Sequence, residues 1–171
     1  MKKLRINITD VKAKAGISAI FVVSFLTVPR VGFLPLGTVG FDILNNIMFP
    51  LCHANVFHLV CNLLCVWLTR PSYHILSGIL ISFFASLLPE MTTDPIMGMS
   101  GILFAVIGVK YGKMGLLTLL AKRTWAFFVI TALLPNVACI YHLYCIIIGY
   151  LWGAAIKKRK EVMLWKLTNP C

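Results

Sequence analysis

The chain has 171 residues, of which 60% are hydrophobic and 12% charged, and its mean hydropathy is +0.91; soluble domains carry roughly 25% charged residues. This excludes an ordinary water-soluble globular protein and leaves a polytopic membrane protein, with room for about six crossings of roughly 20 residues and no extramembrane binding module. The net charge of +11 does not point to nucleic acid, because the basic residues sit at the ends of apolar stretches, as the positive-inside rule requires.

In chain order, apolar stretches predict crossings over residues 16–29, 51–68, 74–88, 96–111, 124–134 and 137–156. Six crossings place both termini on one side. With the N-terminus cytoplasmic, fifteen of the sixteen Lys and Arg residues face the cytoplasm and Arg30 alone lies outside. The reading is therefore one all-α, six-helix membrane bundle over residues 1–171, with short cytoplasmic tails at about 1–14 and 157–171 and the expected location a bacterial inner membrane. Met1-Lys2-Lys3 and the apolar run after it lack a small-x-small cleavage site beyond Phe25, so the run reads as a retained first helix. Residues 31–50 are too polar to span and too apolar for an ordinary loop; they read as an interfacial element in the outer leaflet. Pro89, Glu90, Asp94 and Pro95 mark one outer connection and Pro135-Asn136 another, since proline ends helices. The short fifth stretch and this last turn read as a mobile gate.

Six cysteines show no paired framework and read as small apolar packing residues. Cys61 and Cys65 share a helical face but have no third ligand at suitable spacing, so neither a metal nor a cofactor is expected.

The second, fourth and sixth stretches carry polar groups where such groups are expensive and usually functional: His53, His58 and Asn62; Ser100 between Gly98 and Gly101; and His142. Counting from the nearest basic residue at about 1.5 Å per residue puts Ser100, His142 and His58 about 20, 22 and 18 Å above the inner interface. They share one level, roughly 10 Å below the outer surface of a hydrocarbon core about 30 Å thick.

Ser100 stands in the first turn of its helix, where free N–H groups and the positive end of the helix dipole favour a developing oxyanion. His58 and Asn62 are i,i+4 neighbours that aim at one point. Gly101, Ala105, Gly108 and Gly112 form a small-residue stripe, matched by Cys145, Gly149 and Gly153; two such stripes let helices approach closely enough for serine and imidazole to hydrogen bond. Each residue has a plainer reading. A membrane serine commonly bonds the carbonyl one turn back, a buried histidine or asparagine bridges helices, His53 bonds loop backbone and His74 is interfacial. The shared depth favours the joint reading.

The pattern His53-x4-His58-x3-Asn62, then Gly98-x-Ser100-Gly101, then His142 followed by small residues, resembles the rhomboid intramembrane serine proteases in their minimal six-helix bacterial form. The resemblance runs from the first helix to Ile156. It implies a catalytic dyad of Ser100 and His142, an oxyanion hole including His58 and Asn62, loop support from His53, and packing of Phe104 on the imidazole. The family's Trp-Arg signature is absent between Arg30 and Pro50, and Cys145 stands where glycine is usual. The expected activity is endopeptidase cleavage of single-pass transmembrane substrates near the outer leaflet, with the lipid bilayer as the other partner. A rival reading is a non-catalytic rhomboid-like protein that binds client helices. A small transporter fits poorly, because there is no inverted repeat and no intramembrane carboxylate.

Overall fold

The computed structural model describes residues 8–27, 43–68, 74–88, 96–115 and 138–168. These residues are all-helical: α1 (Ile8–Thr27), α2 (Ile43–Met48), a 3-10 turn (Phe49–Leu51), α3 (Val56–Leu68), α4 (Ile75–Ser86), α5 (Ser100–Met114) and α6 (Cys139–Thr168). Five of the six expected stretches fall on helices. The fifth, 124–134, lies outside the described residues, as do the turn at 135–136, the connection at 89–95, Arg30 and residues 31–42 of the interfacial element.

Helix and apolar stretch do not coincide at every boundary. α1 begins eight residues before the stretch at Gly16 and takes in Asp10, Lys12 and Lys14, while α6 continues past Ile156 to Thr168. The second stretch opens on the 3-10 turn, and α3 starts only at Val56. Asn55 decides this: its Oδ1 accepts the His58 backbone N–H at 2.8 Å, the bond of an N-cap. One helix among the described residues, over Cys139–Trp165, is long and apolar enough to cross a membrane, with 27 residues that include an 18-residue window of mean hydropathy 1.7. α3 and α4 are apolar but have 13 and 12 residues.

α5 is the central helix. Its apolar residues run round the whole circumference, and ten of its fifteen residues are buried, as expected for a helix packed on all sides. Phe104, Ala105 and Val109 join Tyr141, Cys145 and Ile146 of α6, while Ile102 and Leu103 meet Phe21 and Phe25 of α1 and Leu59 and Val66 of α3. α4 buries Gly78, Ile81, Ser82, Ala85 and Ser86, a stripe at three- and four-residue spacing.

The closest contact is between α5 and α6. A Cβ on Gly108 or Gly112 would strike the carbonyls of Ile146 and Tyr150, and one on Gly149 or Gly153 those of Ala105 and Val109. The two glycine stripes thus interlock backbone to backbone, the small-residue packing expected from the sequence. Cys145, fully buried, is accommodated in the same helix.

Several polar groups are buried within the largely apolar core, and large apolar side chains are exposed. Asn46, His53, Asn62, Ser82, Ser86 and His142 are buried, while Leu26, Leu64, Leu76, Phe84, Leu151 and Trp152 are exposed. At the other end of the bundle Lys14 is also buried; its Nζ lies 3.2 Å from the Asp10 carboxylate and donates to the Trp67 carbonyl at 3.0 Å, at the C-terminus of α3.

Candidate active site

Ser100 is the first residue of α5, reached through a turn at Gly98 with φ +90°. Only glycine takes this conformation cheaply. The Gly98 N–H donates to the Phe49 carbonyl at 3.0 Å, which ties the turn to the 3-10 segment. The serine hydroxyl therefore sits beside the free amides and positive dipole of a helix start, as its position in the sequence predicts.

Across the α5–α6 contact, His142 Nε2 lies 2.7 Å from Ser100 Oγ. The ring is buried, and Phe104, one turn after Ser100, stacks on it with centroids 4.6 Å apart and planes at 27°. With the ring proton on Nδ1, Nε2 is free to accept the serine proton. Nδ1 itself is buried and has no hydrogen-bond partner among the described residues.

His58 and Asn62 come to the other side of the Gly98 turn. A Cβ on Gly98 would stand 2.7 Å from His58 Cε1 and Nε2 and 2.9 Å from Asn62 Nδ2. The Ala54 N–H donates to His58 Nδ1 at 3.5 Å while the His58 N–H donates to Asn55 Oδ1. This reciprocal pair is a variant of the capping box. Since Nδ1 accepts, a neutral ring carries its proton on Nε2, the edge that touches Gly98. Asn62 Nδ2 is buried without a partner among the described residues. Two donors thus converge two residues before Ser100.

His53 lies in the turn before α3, buried edge-on against Phe21 (5.5 Å) and His58 (5.3 Å). It buttresses His58 and makes no hydrogen bond with Ser100 or His142. Gly101 makes room for another group: its Cβ would overlap the ring of Tyr141. Tyr141 and its partner Ser82 are not site residues in the sequence pattern, where Ser82 is one of three serines (Ser77, Ser82, Ser86) in the apolar run of α4. His74 accepts from Lys113 Nζ at 3.3 Å, away from this cluster.

Chemically, the cluster pairs a hydroxyl with a base and sets two donors against the Gly98 turn that leads into the hydroxyl. Comparison with protein families, with curated proteins and with solved structures finds no match to this chain.

Proposed function

We propose that the chain is an intramembrane serine endopeptidase of the rhomboid type that cleaves single-pass membrane proteins near the outer leaflet. The observation that carries this reading is the 2.7 Å contact between Ser100 Oγ and His142 Nε2, made at a helix N-terminus. The membrane setting is supported by the composition, by the exposed large apolar side chains and by α6, which is long and apolar enough to cross a membrane. Six crossings with both termini cytoplasmic, in a bacterial inner membrane, complete the proposal.

In the reaction, His142 Nε2 takes the Ser100 proton as Oγ attacks the scissile carbonyl carbon. The negative charge that develops on the carbonyl oxygen is met by the Ser100 backbone N–H with His58 and Asn62. His142 then protonates the departing amine as the C–N bond breaks, leaving an acyl ester on Ser100. Water, deprotonated by the same imidazole, attacks the ester; as the C–Oγ bond breaks the imidazolium returns that proton to Ser100 Oγ and the carboxylic acid product leaves. The reading needs no cofactor.

The test is cleavage of a single-pass reporter by purified protein, with the product ends mapped by mass spectrometry, alongside labelling by a serine-directed fluorophosphonate. Wild type is expected to cut near the outer end of the reporter helix and to label. Ser100→Ala and His142→Ala are expected to do neither while remaining folded. Labelling or cleavage that persists in either variant rejects the dyad, and a wild type that binds reporter without labelling or cutting leaves the non-catalytic reading.

A further inference from the structure

We infer that Tyr141 is a positioning residue: its hydrogen bond to Ser82 of α4 sets the rotation of α6 that holds His142 against Ser100. The inference rests on the proposed serine chemistry and concerns what keeps the dyad in register.

The α5–α6 contact is built from glycines facing backbone. Such a surface allows close approach, but it has few side-chain knobs to resist a helix turning about its axis or sliding along its neighbour. His142 meets Ser100 through one contact of 2.7 Å, so a small turn of α6 breaks it. Tyr141 is the adjacent residue, about 100° round the same helix. Its hydroxyl donates to the Ser82 carbonyl at 3.2 Å and lies 2.5 Å from Ser82 Oγ, which in turn donates to it. Both residues are 1% exposed.

Apolar contact at this point is non-directional. Phe49 meets the Tyr141 ring edge-on at 6.0 Å, but Phe49 and Ser82 both line a largely apolar cavity of about 270 Å³ between the 3-10 turn and α4. The Tyr141 ring is packed in the core, and the bond to Ser82 adds the directional constraint that apolar contact lacks. On the near side the ring presses on Gly101, directly after Ser100. Tyr141 therefore bridges α4, the serine turn and the histidine helix.

The experiment uses the full chain in detergent, with wild type and Ser100→Ala measured first. A wild type that does not label defeats the serine reading, separately from this inference. Given labelling, Tyr141→Phe and Ser82→Ala are each expected to slow it by about 10- to 100-fold, the effect of a misplacement near 1 Å, with the reporter KM little changed. The double variant Ser82→Ala/Tyr141→Phe is the decisive one. It leaves no buried hydroxyl without a partner, so its melting temperature is expected to return towards wild type, while its labelling stays as slow as in the single variants. Labelling at the wild-type rate in Tyr141→Phe overturns the inference. A double variant that regains rate together with melting temperature overturns it as well, because the bond then serves stability alone.

Discussion

Gly98→Ala separates two effects whose sizes differ enough to be told apart. The backbone there has φ +90°, and holding an L residue in such a conformation costs about 1–3 kcal/mol. The new Cβ would also stand 2.7 Å from the His58 ring and 2.9 Å from Asn62 Nδ2, inside the 3.4 Å at which ordinary contact begins. The ring and the amide must then retreat by several tenths of an ångström, together, from the place where the oxyanion forms. Loss of one such donor costs about 100- to 1,000-fold in rate. A domain stable by about 5–15 kcal/mol absorbs the backbone strain and stays folded, so unfolding does not explain a rate loss of that size. Gly115→Ala is the matched control: its φ is +103°, and a Cβ there meets nothing within 4 Å. Fluorophosphonate labelling rates and thermal melting are to be measured on both. Both are expected to melt below wild type, Gly98→Ala by more because of the added close contact, with labelling slowed at least 100-fold only in Gly98→Ala. Equal labelling rates would show that His58 and Asn62 do not serve Ser100 from that side.

Further outcomes follow from the same geometry. His58→Ala and Asn62→Ala are each expected to lower reporter turnover by about 100- to 1,000-fold without abolishing it, since the Ser100 N–H remains; steady-state kinetics on several reporters checks this, and wild-type turnover in both would refute the oxyanion role. Gly108→Val drives a side chain into the Ile146 carbonyl and is expected to cost about 1–3 kcal/mol or more and to part Ser100 from His142. Gly16→Ala, with open space around it, is expected to gain about 0.5–1 kcal/mol, and both shifts are read from melting in detergent. Lys14→Met removes the charge 3.2 Å from Asp10 and the donor to the Trp67 carbonyl, with an expected loss of a few kcal/mol. The double variant Asp10→Asn/Lys14→Met is expected to recover part of it, and no recovery would mean that the lysine acts by its donor bond alone.

The all-helical class and the helical stretches among the described residues were legible in the sequence, because each depends on composition or on short-range periodicity. Ser100 after a glycine turn reads as a helix start, four residues between His58 and Asn62 put them on one face, and glycines four apart on two helices announce close packing. Counting residues from basic ends even matched Ser100 with His142 in depth. Helix boundaries were less legible, because caps and packing move them: Asn55 delays α3 to Val56, and helical geometry carries α1 and α6 beyond their apolar stretches. Other relations belong to tertiary structure alone. The Tyr141–Ser82 bond joins residues 59 apart and the Lys14–Trp67 bond residues 53 apart; nothing in local periodicity encodes either. The bond between Ser100 and His142, 42 residues apart, has the same origin. Sequence placed the two groups at one level, but hydrogen-bond distance arises only when four glycines let two backbones meet and contacts with neighbouring helices, the Tyr141–Ser82 bond among them, decide how each one is turned.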